Sequence, residues 1–171
     1  MNPVPCSVKP RFLSTLTMLV AAAVMMLMPG RALAGDGDRL ITHLRVSVTT
    51  GNDDLRNESH AVAVLKYTAL SGNVGFASSS LNNRARWVDR STHTVDVAMP
   101  AGVLLSQVLE FSIEFTSGQP DIFSTGDTWM MNAITVTAIL DDGGEVLLLS
   151  RAGAPVHTFH HDRDKRWAVD L

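Results

Sequence analysis

Cysteine is almost absent from this sequence, because Cys6 is the only one among 171 residues. It precedes an apolar run at 12–28, so it cannot be the lipid-bearing first residue of a mature lipoprotein. If residues 1–34 are removed on export, as argued below, the remaining chain has no disulfide and no thiolate. Its stability must then come from the hydrophobic core, with or without the help of a metal.

The signatures of common catalytic sites are also missing. The sequence contains no Gly-x-Ser-x-Gly turn and no His-Glu-x-x-His segment. Glu110 and Glu114 could in principle act as a glycosidase pair, but alternation along a strand with one wet face explains both. His160 and His161 precede a charged run, which favours an exposed turn over a zinc site. A secreted hydrolase acting on lipid or glycan therefore stands only as an alternative.

Basic residues are too few for a nucleic-acid-binding protein. The whole chain has 14 Lys and Arg against 17 Asp and Glu, for a net charge of −3. Loss of residues 1–34 would remove Lys9, Arg11 and Arg31, which leaves 11 − 17 = −6. Non-specific binding to nucleic acid depends on neutralising phosphates with Lys and Arg. We therefore expect no nucleic-acid partner.

The first 34 residues have the order of an export signal. Lys9 and Arg11 precede the apolar run at 12–28, and Ala32-Leu33-Ala34 offers the small residues that a signal peptidase reads. A membrane anchor is the alternative, although the run is at the short end of the ~17–25 residues that span a bilayer. We expect cleavage after Ala34, no transmembrane anchor in the mature chain, and a periplasmic or extracellular protein. The remainder, residues 35–171, matches one domain.

Most of the chain beyond residue 40 alternates between apolar and polar side chains, as strands with one wet face do. Turn-forming runs such as Asn52-Asp53-Asp54 and Asp141-Asp142-Gly143-Gly144 separate the alternating segments. Residues 71–90 are predicted to be irregular, and 104–108 to form one helical turn. The pattern predicts an all-β fold, an antiparallel β-sandwich of about eight strands. Strands are predicted at 41–49, 60–68, 92–99, 109–115, 133–140, 145–150, 156–159 and 166–169.

The chain is organised around residues 108–140, where two strand-like runs enclose a polar loop. Phe111, Ile113 and Phe115 alternate with polar residues in the first run, and a weaker alternation follows from Ile134. The enclosed loop is long for a hairpin and contains Asp121 and Asp127. Long loops on a rigid sheet often carry binding residues, so this loop is a candidate site.

Residues 44–54, followed by 61–65, resemble the opening of PLAT/LH2 domains, in which a strand, an Asp-rich Thr-Gly turn and a second strand follow one another. The resemblance continues at 109–115, at Trp129 before the next strand, and at the closing pair Phe159 and Trp167. It departs from the family at 71–90. Residues 116–136 also look like a module found beside enzymatic domains in secreted bacterial proteins. The resemblance implies an eight-stranded β-sandwich that binds lipids, membranes or protein partners, often with calcium, and performs no chemistry itself.

The acidic turns are the candidate metal ligands. Calcium takes six to eight oxygen ligands from carboxylates, amides, carbonyls and water. Two Asp-bearing loops that meet at one end of a sandwich would supply such oxygens, although their spacing is not that of an EF-hand. The alternative is that these residues are only turn formers. The candidate calcium ligands are Asn52, Asp53, Asp54, Asp121 and Asp127.

The candidate ligand-binding residues are Trp87, Arg84, Arg86 and Phe123. The arginines form the main basic cluster and suit phosphate headgroups, while Trp87 beside them suits a membrane interface. The alternative for Trp87 is a buried side chain that anchors its loop. We therefore expect a secreted, non-catalytic binding module that recognises a lipid or membrane surface or a protein partner, with calcium as a candidate cofactor. A structural or assembly protein of the cell envelope, pairing through an exposed strand edge, is a further alternative.

Overall fold

The computed structural model describes residues 39–119, 123 and 125–171. The predicted signal peptide at 1–34 and the predicted ligand Asp121 lie outside these residues. A 3-10 turn at Leu105–Gln107 confirms the predicted helical turn. The described strands, in chain order, are β1 (Ile41–Thr50), β2 (His60–Thr68), β3 (Val74–Ser80), β4 (Thr92–Ala98), β5 (Val108–Thr116), β6 (Thr128–Leu140), β7 (Glu145–His160) and β8 (Arg166–Asp170).

The strands form two four-stranded sheets with the orders β4-β1-β6-β7 and β3-β2-β5-β8. Every pair of neighbouring strands is antiparallel. The apolar faces of the two sheets pack on each other, which confirms the predicted all-β sandwich. In the part of the chain that the structure describes, no helix has the length and apolar character needed to cross a membrane.

The core follows directly from the alternation in the sequence. Leu44, Val46 and Val48 of β1 point inward and are fully buried, as are Phe111 and Ile113 of β5 on the opposite sheet. Each such side chain contributes about 1.5–3 kcal/mol when it leaves water. The central strands of the two sheets therefore supply the main hydrophobic contact between them.

Aromatic rings fill one end of this core. Trp129 stacks on Phe159, with ring centroids 4.9 Å apart, and Phe115 lies 6.4 Å from Trp129 at a tilt. Trp87 meets the edge of Trp129 at 6.0 Å and stacks on His93 at 4.5 Å. These rings lie under the loops that carry the candidate site, so they give those loops a rigid base.

The prediction that residues 71–90 are irregular is wrong for 74–80, which form β3. The inward-facing positions of this strand hold Gly75 and Ala77, so the sequence shows no apolar alternation. A side chain at Gly75 would collide with the ring of Tyr67, which occupies the space beside it. The small residues of β3 therefore make room for a large side chain of β2.

The two strands predicted at 145–150 and 156–159 are one long strand, β7. Its pairing with β6 changes register between Met131, which faces His157, and Ala133, which faces Ala152. The residues between these two positions bulge out of the ladder, and Pro155 among them has no N–H to donate. The bulge interrupts the alternation and so conceals the continuity of the strand in the sequence.

Candidate functional site

Four loops lie at the same end of the sandwich, because successive antiparallel strands return the chain to alternate ends. They connect β1 to β2, β3 to β4, β5 to β6 and β7 to β8, and we call this the loop end. The predicted meeting of two Asp-bearing loops at one end therefore agrees with the topology. The predicted site residues that belong to the loop end are Asn52, Asp53, Asp54, Arg84, Arg86, Trp87, Phe123 and Asp127.

Backbone hydrogen bonds fix the β1–β2 loop against the β3–β4 loop. The N–H of Leu55 donates to the carbonyl of Trp87 at 3.0 Å, and the N–H of Trp87 donates back to Leu55 at 2.9 Å. The N–H of Arg90 donates to the carbonyl of Gly51 at 2.8 Å. Leu55 and Trp87 are both buried. The two loops thus behave as a short β-bridge seated on the aromatic end of the core.

The β5–β6 loop is held to the β1–β2 loop by Asp127. This carboxylate is fully buried, and its Oδ2 accepts a hydrogen bond from the N–H of Arg56 at 3.1 Å. The Nε of Arg56 lies 3.2 Å from Oδ1, yet Oδ1 accepts no hydrogen bond from any described residue. Gly118 donates its N–H to Ser59 Oγ at 3.0 Å and strengthens the same junction. Asp127 is therefore a structural carboxylate whose Oδ1 is ion-paired with Arg56 but accepts no hydrogen bond from the described residues.

Arginines contact three of the predicted calcium ligands. Asn52 Oδ1 accepts a hydrogen bond from Arg90 Nε at 2.9 Å, and Asp54 accepts one from Arg86. Together with the pair between Arg56 and Asp127, these contacts neutralise part of the acidic loop. Within residues 39–119, 123 and 125–171, no three His, Cys, Asp or Glu side chains are grouped so that they would hold a metal ion together. Two of the predicted carboxylate ligands, Asp54 and Asp127, are already paired with arginines.

Two carboxylates at the loop end have perturbed acidities. Burial raises the pKa of Asp53, and the negative charges of Asp127 and Asp54 raise it further. Burial likewise raises the pKa of Asp127, while contacts with Ser59 and Arg56 oppose the rise. The smaller part of the pKa shift of Asp53 therefore comes from neighbouring carboxylates, which repel its negative charge. A cation at this position would relieve that repulsion.

The predicted ligand-binding residues divide into an exposed and a buried group. Phe123 is 91% exposed on the β5–β6 loop, and Arg84 and Arg86 are exposed on the β3–β4 loop. Trp87, by contrast, is only 3% exposed because it packs on His93 and Trp129. The structure therefore places Trp87 as an anchor beneath the loop rather than at its surface.

Sequence reasoning missed the residues that connect the loops. Arg56 and Arg90 pair with predicted ligands on other segments, and these partners are far apart in sequence. The buried Asn82 donates to the carbonyl of Ser59 at 2.9 Å and accepts from the N–H of Ala61 at 3.2 Å. Only Asn82 had a local cue in the sequence, because the Asn82-Asn83 pair is typical of a turn. In the structure Asn83 has the left-handed backbone, at φ 43°, that such turns use.

Comparison with solved structures finds similar folds in two bacterial toxins. Alpha toxin from Clostridium absonum matches with a TM-score of 0.55 and 12% identity, over 83% of this chain and 34% of the toxin chain. Alpha toxin from an avian strain of Clostridium perfringens, SWCP, matches with a TM-score of 0.54 and 12% identity, over 78% of this chain and 32% of that one. This chain thus spans about a third of the length of each toxin.

Comparison with protein-family models gives no match. Comparison with curated proteins gives no match either. At 12% identity, the likeness to the toxins is one of fold. A stretch of each toxin shares the architecture of this chain, and this agreement fits the PLAT-like β-sandwich predicted from the sequence.

Proposed function

We propose that this protein is a non-catalytic binding module whose loop end recognises an anionic lipid surface. The observation that carries the proposal is the position of Phe123, Arg84 and Arg86, which stand exposed at one end of a rigid sandwich. An exposed phenylalanine can enter the boundary between headgroups and acyl chains, and arginines favour phosphate. Apolar and cationic groups at the same end form a natural lipid contact.

The loop end is also rigid enough for recognition. Backbone hydrogen bonds from Leu55, Trp87 and Arg90 hold two of its loops together, and Arg56 ties a third to them through Asp127. A contact surface that is already ordered loses little conformational entropy on binding. Trp87 contributes from below by packing in the core, so its role in the proposal is to position Arg84 and Arg86, which precede it in the same loop.

Calcium is the finer part of the proposal. The buried Oδ1 of Asp127 lacks a hydrogen bond among the described residues, and the pKa of Asp53 is raised first by burial and then by the charges of Asp127 and Asp54. Both observations fit a cation. Asp53 and Asp127 would hold it, and Asp54 would join them by leaving Arg86. The ion would supply positive charge and further order to the loops, and it would release the Arg86 guanidinium towards lipid phosphate.

Three further lines support a surface-binding role outside the cytoplasm. The sequence resembles PLAT/LH2 domains, the fold matches a stretch of two bacterial toxins, and residues 1–34 have the order of an export signal. The toxins are much longer than this chain, so their own activities do not transfer to it. We propose that the protein acts in the periplasm or outside the cell.

The test is co-sedimentation with vesicles of phosphatidylcholine alone or of phosphatidylcholine with phosphatidylserine, in EDTA and in millimolar calcium. We expect binding to the anionic vesicles. Phe123→Ser should weaken it by about 10–100-fold, because burying a Phe side chain contributes ~1.5–3 kcal/mol. Arg84→Glu reverses one charge and should weaken it about tenfold or more, at ~1 kcal/mol for each charge near the surface.

Matched controls separate the loop end from the rest of the surface. Leu147→Ser removes an exposed apolar side chain from β7, and Arg151→Glu reverses an exposed arginine on the same strand. Both should bind as the wild type does. Equal losses for the loop variants and these controls, or no binding to either vesicle, would contradict the proposal. The second result would turn the search towards a protein partner.

A thermal melt tests the calcium component separately. An ion that binds only the folded state raises stability by about 2.7 kcal/mol at a hundredfold excess over its dissociation constant. We expect millimolar calcium to raise the melting temperature, and we expect the rise to vanish in Asp53→Ala and Asp127→Ala. An unchanged melting temperature would contradict calcium binding by Asp53 and Asp127. It would leave the proposal of lipid binding unaffected, because that is measured separately in EDTA.

A further inference from the structure

β3 is an edge strand, and among the described residues it pairs with β2 alone. The N–H of Ala69 donates to Asn73 at 2.8 Å and that of Leu81 donates to Ala61 at 2.8 Å, at the two ends of an unbroken register. Hydrogen-bonded and non-hydrogen-bonded pairs alternate along an antiparallel ladder. Every second residue of β3 therefore directs its N–H and C=O away from β2. These residues are Val74, Phe76, Ser78 and Ser80.

The other three edges carry the protection that edge strands usually have. β4 has the charged Asp96 among its edge-facing residues, and β8 is only five residues long and carries Arg166. β7 leaves its register at 153–156, which includes Pro155. β3 has none of these devices, because residues 69–83 contain no charge and no proline. Its backbone is open to another strand.

Apolar side chains mark the same edge. Leu70, Val74 and Phe76 are 75%, 53% and 63% exposed, and all three belong to the hairpin that leads into β3 or to the strand itself. Single exposed apolar residues are ordinary, but a group of them on one surface is typical of a contact site. Backbone groups and side chains thus point to a partner strand at this edge.

We propose that β3 pairs antiparallel with β3 of a second copy of this protein, which joins two four-stranded sheets into one continuous sheet. A twofold axis at Phe76 would place the two Phe76 residues opposite each other and Val74 opposite Ser78. All of these positions direct their backbone groups outward, so the register satisfies both edges at once.

Charge favours a second copy over a charged peptide. The protein is acidic overall, with a net charge of −3, so two copies repel each other through most of their surfaces. Residues 69–83 carry no charge, so this edge adds nothing to that repulsion and offers no charge to a charged partner. Like edges of this kind meet without repulsion, and each buries the apolar side chains of the other.

Amide exchange of the protein, expressed from the full-length gene in the form that the cell produces, tests the pairing without mutation. In a monomer the amides of Phe76 and Ser78 face solvent and exchange fast, whereas those of Gly75 and Ala77 bond to β2. We expect Phe76 and Ser78 to become protected as protein concentration rises, while the other two remain protected throughout. Fast exchange of Phe76 and Ser78 at every concentration would overturn the proposal.

The second test compares variants with the wild type by sedimentation velocity, which measures the mass of the protein in solution over the same range of concentrations. Phe76→Lys adds charge at the centre of the edge, and Ser78→Pro removes an outward N–H without removing a bond to β2. Each should weaken association roughly tenfold or more. Leu147→Lys makes the same change on β7 and should leave the mass unchanged. A monomeric wild type, or equal effects of Phe76→Lys and Leu147→Lys, would overturn the proposal.

Discussion

Removing Arg56 should destabilise the protein in a way that depends on pH. Arg56 lies 3.2 Å from Asp127 Oδ1, where Coulomb's law at an effective dielectric of ~20 gives about 5 kcal/mol. The pair is unevenly buried, since the Arg56 side chain is 39% exposed and that of Asp127 is 1% exposed. Solvent screening and the rehydration of Arg56 therefore cancel much of this attraction. We expect Arg56→Ala to cost about 2 kcal/mol at pH 7, between the values for exposed and fully buried pairs.

The sign of the pH dependence follows from Asp127. Burial already raises its pKa above the ordinary 3.8, and the Arg56 charge is one of the causes that lower it. Loss of Arg56 therefore raises the pKa of Asp127 in the folded state further. A carboxyl with a raised folded pKa favours the folded state at low pH, and that advantage is lost as pH rises through the folded pKa. The deficit of Arg56→Ala relative to the wild type should thus shrink as pH falls from 7 to 4.

Thermal and urea melts of both proteins in EDTA measure this effect, with an expected drop of about 4–8 °C at pH 7. The matched control is Arg45→Ala, which removes an arginine that pairs with Asp96 and Glu145 on the exposed face of the sheet. It should cost less than about 1 kcal/mol at either pH. Equal losses for the two variants, or a deficit of Arg56→Ala that is independent of pH, would refute the role assigned to the buried carboxylate.

Three further predictions concern stability. Asp53→Asn should stabilise the protein in EDTA at pH 7 by about 0.5 kcal/mol or more, because the raised pKa of Asp53 means that its ionisation disfavours the folded state. The substitution should have little effect near pH 4, where the carboxyl is largely protonated, and urea melts at both pH values check this. Gly118→Ala should cost about 1–3 kcal/mol, because the added carbon would collide with the Glu58 carbonyl, and a normal melting temperature would contradict it. Leu44→Ala should cost about 2–5 kcal/mol in the same melts, whereas Leu147→Ala, on the surface, should stay within ~0.5 kcal/mol.

The fold was largely predictable because the central strands bury one face each. β1 and β5 alternate between large apolar and polar residues, and β2 is a run rich in Val and Ala with Tyr67 near its end, ahead of polar turn residues. These patterns locate the three strands. β3 escaped prediction because its inward positions, Gly75 and Ala77, are small to accommodate Tyr67. Such a strand depends on a neighbour's side chain, and no local pattern records that dependence.

The candidate site was predictable only in part, for a similar reason. The order of strands and turns was enough to bring Asn52, Asp53 and Asp54 to the same end as Asp127. Their partners were not predictable, since Arg56 and Arg90 meet them across loops whose relative positions depend on the packed core. The burial of Trp87 has the same origin, because Leu55 and His93 enclose it from other segments.

The two proposed contacts together have a geometric consequence. In an antiparallel pair of β3 strands, the loop ends of the two copies point in opposite directions, because each loop end lies beyond residue 80 of its own strand. A dimer of this kind cannot place both copies of Phe123 on one flat membrane. It would instead hold two lipid surfaces apart, one at each end. We therefore expect the protein to cluster anionic vesicles, measured as growth in particle size by light scattering.

The two variants should separate binding from clustering. Phe76→Lys should bind single vesicles in co-sedimentation without clustering them, because it retains the loop end and loses the second copy. Phe123→Ser should lose both, because it retains the dimer and loses the lipid contact. Wild-type protein that dimerises and binds lipid yet leaves the vesicles dispersed would contradict the antiparallel arrangement, since only a dimer with both loop ends on the same side can bind in that way.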